Sequence, residues 1–285
     1  MAGAAARRTL LLAQYKPFSF LSPSTAPRGS KLFAVDLLTQ RNLASAAPWV
    51  AAQGRQPARL TPGLPQDPRD LAGLVCIGRL DADSIGLMLW TTDAVLASRV
   101  MSPASHIEKE YLVRVTGHEA WNLKRREKVA QEMSAGLVVG DVSFRPCSVH
   151  WLNESQLQII LTEGKHRQAR LMCASVGLEV VGLKRVRIGC IRLGGLRIGQ
   201  WCWLPDSLHR RLSVETRHGS SQPRVPAKEE TMGKQTCVRN RQGGVAPMVP
   251  VSAPVARGSS KARMARAGDA NIASKAGRIL DEVVI

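Results

Sequence analysis

The residues of this 285-residue chain best suited to chemistry sit in three short stretches. The first opens with Gly78-Arg79-Leu80-Asp81 and runs through Asp83, Ser84 and Gly86 into the apolar run Leu87-Met88-Leu89-Trp90. Charge on a loop that feeds a buried strand places a carboxylate at the strand's mouth. A carboxylate beside a cation can hold its charge while half buried. Arg79 and Asp81, two residues apart, point to one side of an extended stretch. The second stretch, Lys109-Glu110-Tyr111, adds a phenol where an alternating strand begins. The third, Glu163-Gly164-Lys165-His166-Arg167-Gln168-Ala169-Arg170, adds bases at a turn into a helix, where backbone N–H groups also favour phosphate. Together they supply an acid, a phenol and several bases, the parts of general acid–base or covalent catalysis by a carboxylate. Gly78, Gly86 and Gly164 read as geometric requirements of these turns, and Ser84 can hydrogen-bond the loop that holds Asp81.

These stretches need elements to position them. TLLLAQ (9–14) reads as a buried strand that ends at Tyr15-Lys16-Pro17, because proline cannot continue a central ladder. Residues 31–38 have helical spacing. Residues 44–70 lose periodicity, are rich in Ala, Pro, Gly and Gln, and read as a loop insertion. Strands are expected at 74–77 and 86–90. Asp93 caps a helix through Val100, and EYLVRV (110–115) alternates as a strand. A charged amphipathic helix covers 121–133, followed by strands near 138–139, 143–151 and 157–161. The helix after Arg167 runs to Val176, with Gly177 as its C-cap. A strand at 178–188 carries Lys184, Arg185 and Arg187, and short strands fill 192–204. Strands with few helices give an α+β class with a largely antiparallel mixed sheet.

The net charge is +18, from 40 Lys and Arg against 22 Asp and Glu. Most of the excess lies before residue 205, so the expected folded part is itself basic and suits a polyanion, with nucleic acid foremost. An inert basic surface is the plainer alternative. From 205 to 285 the chain is a basic, low-complexity tail that cannot bury enough surface to offset its ordering entropy. Six cysteines, none in a CxxC pair, read as thiols of a reducing compartment, and their spacing does not suit zinc. No apolar run has the length of a membrane span. The first eight residues form a short extension, Ala-rich with two Arg. They hint at a transit peptide, so a cytoplasmic location is favoured with a mitochondrion or plastid left open.

Read in order, the three stretches resemble RNA pseudouridine synthases of the RsuA type. Gly-Arg-Leu-Asp-x-Asp-Ser-x-Gly-Leu-x-Leu-x-Thr-x-Asp, from Gly78, is similar to their central motif. Lys109-x-Tyr111-x-Val113 resembles their second motif. Leu161-Thr-Glu163-Gly164-Lys165-His-Arg167-Gln168-x-Arg170-x-Met172, followed by Leu183-x-Arg185-x-x-Ile188-Gly189, resembles their third. Tyr15-Lys16-Pro17 falls where the family has an Asn-Lys-Pro turn. The resemblance spans residues 9–204 as one catalytic domain with the pseudouridine synthase fold.

The resemblance implies isomerisation of a uridine to pseudouridine in RNA, most of all large-subunit ribosomal RNA, by a catalytic Asp without cofactor or metal. Asp81 falls on the nucleophile, and its attack on sugar or base is left open. Tyr111 would stack on the uracil or pass a proton. Lys165 falls on the cation that pairs with the Asp, and Arg167 or Arg170 could replace it. Arg79, Arg167, Gln168, Arg170, Lys184 and Arg185 are the expected RNA contacts, with the strand 184–187 and the helix 121–128 gripping flanking RNA. The start resembles short members without an S4 domain, and a monomer is expected. The runner-up is a non-catalytic RNA-binding or ribosome-assembly factor that retains the fold.

Overall fold

Leu11–Lys16 (β1) is buried at every position, the mark of a central strand covered on both faces. A computed structural model describes residues 9–23, 31–44 and 64–218. Of the chain's two units, Met1–Ser221 and Gln222–Ile285, all described residues belong to the first. The expected extension at 1–8, most of the 44–70 stretch and the chain beyond 218 lie outside the described residues.

After β1 come Val75–Ile77 (β2), Ile85–Thr91 (β3), Ala94–Met101 (α1), Lys109–Thr116 (β4) and Leu123–Ser134 (α2). A small hairpin, Val138–Val139 (β5) with Val142–Ser143 (β6), precedes Ser148–Asn153 (β7) and Gln156–Leu161 (β8). Then follow Gln168–Ser175 (α3), Glu179–Ile188 (β9), Ile191–Arg192 (β10), Trp201–Trp203 (β11) and Asp206–His218 (α4). Among the described residues the main sheet has nine strands, in the order β11-β1-β3-β9-β4-β8-β7, with β2 on β3 and β10 on β9. Of their strand-to-strand pairings, β3 with β9 is parallel and the others are antiparallel. The fold is α+β with a mixed, largely antiparallel sheet, as the strand-rich pattern predicts.

Period-two alternation splits the core between the two faces of the sheet. Met88, Trp90, Tyr111, Val113, Leu157 and Ile159 join one cluster with Val129 and Met133 of α2 and Met172 and Cys173 of α3. Leu87 and Leu89 are buried on the opposite face, the side of β3 left to α1. Asp93 caps α1 by accepting from the Leu96 N–H at 2.9 Å. The α3 helix ends as expected. Gly177 adopts φ +86°, its N–H donates to Ala174 O, and the Leu178 N–H donates to Cys173 O. This pair of bonds satisfies the last carbonyls of the helix.

Three expectations need correction. Residues 31–38 hold only a single 3-10 turn, Ala34–Leu37, because Phe33 is engaged in a strand-like bridge to Leu21. The strand expected at 143–151 is divided between the β5–β6 hairpin and β7. The tail does not begin at 205: α4 continues to His218. Its burial rests on Leu208, Leu212 and Thr216, a narrow stripe at helical spacing in an otherwise polar sequence. Glu215 fixes α4 to the sheet by accepting from the Cys190 N–H at 2.9 Å. His209 reaches the cap of α1 at Asp93, 3.3 Å away.

Candidate active site

The Asp81 loop joins β2 to β3 and is held from behind by the N-terminal segment. Gly78 turns the chain at φ +78°. Leu80, buried, donates its N–H to Ser22 Oγ at 2.8 Å, and that hydroxyl donates to Leu80 O at 2.6 Å. The Ser84 N–H closes a turn onto Asp81 O at 3.1 Å. Lys16, fully buried, donates Nζ to Ser84 O at 2.7 Å and to Pro17 O at 2.9 Å. Burial holds the Lys16 ammonium down to about 8; the Asp83 charge opposes this, Arg185 adds to it, and Asp81 opposes it more weakly. Gly86, the second residue of β3, follows at φ +118°, where a Cβ would stand 2.2 Å from Arg185 O of the parallel strand. The glycine is what lets the two backbones meet at that point.

Against this loop stands the start of α3. Arg167 takes the left-handed conformation, φ +50°, at the helix N-cap. Its Nη1 lies 3.8 Å from Asp81 Oδ2 and its Nη2 3.0 Å from Asp83 Oδ2. Arg170 donates to Asp83 O at 2.8 Å and to Val180 O at 3.0 Å, and lies 3.4 Å from Asp83 Oδ1. Burial alone would raise the Asp83 carboxyl. The Arg167 hydrogen bond, the charges of Arg170 and Arg167 and the Ser84 hydroxyl outweigh it and hold the carboxyl below the usual range. Asp83 is therefore the clamp that binds α3 to the loop, while the Asp81 carboxylate stays about one-third exposed.

Between loop and helix opens a cavity of about 370 Å³, lined among others by Arg79, Asp81, Tyr111, Leu161, Lys165, Arg167 and Leu183. Tyr111 lies on β4, opposite Arg185 of β9 and Ile159 of β8, and forms a largely buried part of the wall. Among the described lining residues Asp81 is the one carboxylate; the others with charge are Arg79, Lys109, Lys165, Arg167, Arg170 and Arg185. Such a site suits an anionic polymer with one flat group inserted. The described residues contain no group of three or more His, Cys, Asp or Glu placed to hold a metal. Among the described residues no helix is long and apolar enough to cross a membrane.

The structure brings Arg79, Asp81, Tyr111, Lys165 and Arg167 to one cavity, but several expected contacts differ. Lys165 does not meet Asp81. It donates to Ser143 O of the hairpin, lies 3.9 Å from Glu163 Oε2 and sits over the Phe144 ring. The reach to Asp81 falls to Arg167, because the turn sends Lys165 toward β6. Gln168 is buried and spent internally: its Oε1 accepts from the Lys165 N–H, and its Nε2 donates to Glu163 Oε1 at 2.8 Å. It shapes the turn and offers no free amide to RNA. Arg170 is likewise consumed by Asp83 and Val180.

Arg185 is 3 % exposed and bonds Leu87 O and Arg79 O, so it lies at the bottom of the cavity and not on the outer surface that flanking RNA would meet. Lys184, its neighbour, points to the other side of the sheet and covers the Tyr15 ring at 5.2 Å; burial lowers its ammonium. Arg187 pairs with Glu108 and Glu110 at 2.8 and 2.7 Å, so the strand 184–187 does not present free charge. Gly164 has no left-handed φ, and a Cβ there would meet nothing within 4 Å; its turn does not need glycine. Arg79 is exposed and has no ion-pair partner among the described residues. On α2, Lys124, Arg125 and Lys128 are exposed.

Sequence reasoning missed three residues that matter to this geometry: Lys16, Asp83 and Lys109. Lys16 was visible only as part of a turn. Asp83 stands two residues after Asp81, the spacing that puts two carboxylates on one side of a loop. Lys109 stands two residues before Tyr111 and shares its face of the strand.

A family model described as RNA pseudouridylate synthase matches residues 53–175. Residues 53–175 are thus similar to that family. Ribosomal large subunit pseudouridine synthase B of Yersinia pestis is 35% identical over 115 residues, 37% of this chain and 33% of that protein. The protein of the same name from Escherichia coli strain K12 is 36% identical over 115 residues, 37% of this chain and 36% of that one. The chain thus spans about a third of the length of the curated relatives it matches. A crystal structure of a pseudouridylate synthase shares the fold, with TM-score 0.54 and 22% identity, over 72% of this chain and 74% of that one.

Proposed function

We propose that this protein isomerises a uridine to pseudouridine within RNA, with large-subunit ribosomal RNA as the substrate class. The observation that supports it most is Asp81, the one carboxylate among the described residues of a cavity lined by cations and floored by Tyr111, inside the segment that matches the family. The names of the relatives favour ribosomal RNA. The target nucleotide leaves its stack and enters the cavity. Arg79 and Arg167 at the rim hold its phosphates, Tyr111 stacks on the uracil, and Asp81 attacks. Isomerisation neither adds nor removes atoms or electrons overall, so the reaction needs no redox partner. In this reading the enzyme is a monomer and works without metal.

The test is to incubate the full chain with unmodified large-subunit rRNA and map pseudouridine at nucleotide resolution. The expected result is modification at one or a few sites, lost in Asp81→Asn by at least about 10²-fold while thermal unfolding and RNA binding persist. Pseudouridine formed equally by Asp81→Asn would refute the role of Asp81. RNA binding without modification by the unaltered chain would favour the non-catalytic assembly factor.

A further inference from the structure

We propose that Lys109 and Arg185 form a cationic floor that carries the negative charge of the uracil ring between release from the sugar at N1 and rejoining through C5. The inference rests on the proposed function and assigns a leaving-group role to two residues of its cavity.

Their placement follows from the sheet. Lys109 and Tyr111 lie two apart on β4 and so share one face. Arg185 stands opposite Tyr111 on β9, on that same face. Both cations line the cavity. Lys109 is 9 % exposed; its Nζ donates to Ile107 O at 3.0 Å and has no carboxylate partner among the described residues. Arg185 uses Nε and Nη1 on backbone carbonyls, but its buried Nη2 has no hydrogen-bond partner among the described residues. Buried charge without a counter-ion is strongly unfavourable unless something else supplies one. The other face of the same strands has the ordinary solution: Arg187 is neutralised by Glu108 and Glu110. The floor lacks such carboxylates. Burial, with Arg185 adding to it, holds the Lys109 ammonium down to about 8, as expected of two cations awaiting an anion.

The chemistry of the anion follows from depth. Phosphates belong to a chain that must leave the cavity, so they suit Arg79 and Arg167 at its rim. The base is the part that reaches deepest, and the floor there is flat and partly apolar: Tyr111, Leu161 and Leu183. When the N1–C1′ bond breaks, its electron pair stays on the uracil, spread over N1, O2 and O4. C1′, left electron-poor, is held by the Asp81 carboxylate; C5 then gives a pair to C1′ as the Asp81 oxygen leaves with its own, the C5 proton leaves and N1 takes one up. No atom is gained or lost. The interval in which the ring bears charge is the one that Lys109 Nζ and Arg185 Nη2 stabilise, as oriented donors stabilise an oxyanion.

The experiment compares the full chain with Lys109→Met and with Lys109→Gln, which removes the charge but keeps a donor for Ile107 O. Single-turnover rates are read on an RNA that the unaltered chain modifies, and on the same RNA with 5-fluorouridine at the target. Fluorine makes the departing ring a more stable anion and blocks the later loss from C5, so loss of 5-fluorouridine reports cleavage. If the unaltered chain modifies no RNA, the proposed function fails before this inference is reached. Both variants are expected to lose about 10²-fold on uridine and to bind RNA within about twofold of the unaltered chain. The loss should shrink to about tenfold or less on 5-fluorouridine, since a better leaving group needs less help. Lys109→Arg should recover part of the rate. An equal loss on both substrates, a loss confined to RNA affinity as for a phosphate contact, or no loss in the correctly folded Gln variant overturns it.

Discussion

Arg167 Nη1 stands 3.8 Å from Asp81 Oδ2, and the same guanidinium holds Asp83 Oδ2 at 3.0 Å. One cation thus touches the carboxylate expected to react and the carboxylate that fixes its loop. Arg167 can do both because it starts α3 in the left-handed conformation, which swings its side chain back over the β2–β3 loop.

That geometry separates Arg167 from Lys165. Arg167→Met should lower the single-turnover rate by roughly 10²-fold, the scale of losing an oriented charge beside a reacting group. Lys165→Met should lower it by no more than about threefold and act instead on the β5–β6 hairpin, whose Ser143 it holds. Quenched-flow rates for the two variants, with hydrogen exchange across 138–143, decide the matter. A larger catalytic loss in Lys165→Met would return the pairing role to Lys165.

Gly86→Ala probes the close approach of β3 and β9. The new methyl would meet the Arg185 backbone at 2.2 Å from a φ of +118°, and neither strand can retreat without breaking the ladder. Destabilisation of about 3 kcal/mol or more is expected. Urea unfolding followed by circular dichroism measures it; a shift under about 1 kcal/mol would mean the strands are not so close.

Lys16 should make stability depend on pH in a defined window. Its folded ammonium titrates near 8, against an ordinary value of 10.5. Between these values the unfolded chain binds the proton and the folded chain does not, so stability rises with pH there; below 8 and above 10.5 this group adds no slope. Its full size is on the order of 3 kcal/mol. The stability difference between the unaltered chain and Lys16→Met should therefore grow in favour of the unaltered chain from pH 7.5 to pH ~10. Buried thiols titrate in the same range but are common to both proteins and cancel. A difference that stays flat across that window counts against a buried, charged Lys16.

Arg79 tests the rim. It is exposed and unpaired among the described residues, so Arg79→Ala should change stability by less than about 0.5 kcal/mol. RNA binding should weaken, and the slope of log affinity against log salt should fall by about 1, as for one lost phosphate contact. An unchanged slope with slower turnover would place Arg79 on the base and not on the backbone.

The strands and the three chemical stretches were legible because their signals are local. Alternation gave β4, the capping aspartate gave α1, and Gly177 gave the end of α3. Partner choice was less legible. Lys165, Arg167 and Arg170 fall within six residues of one turn, and their side chains diverge to Ser143, Asp81 and Asp83 only because Arg167 takes a left-handed φ. Likewise Lys184 and Arg185 read as a single basic pair, yet strand alternation sends them to opposite faces. The α4 helix escaped notice because its apolar stripe is three residues wide in a polar sequence, and what it packs on is set by the sheet.

Because Leu12 of β1 pairs with Trp203 of β11, and Gly86 of β3 with Arg185 of β9, the sheet is built from partners far apart along the chain. Such non-local contacts slow folding relative to hairpins and helices. During synthesis β1 and β3 can pair with each other as soon as both are made. The outer edge of β1 then waits for β11, and the start of β3, beyond the residues that β2 pairs, waits for β9. A nascent chain halted in that interval exposes two apolar edges open to pairing with other chains. Maturation of the Asp81 loop is thereby tied to release of the last described strand from the ribosome.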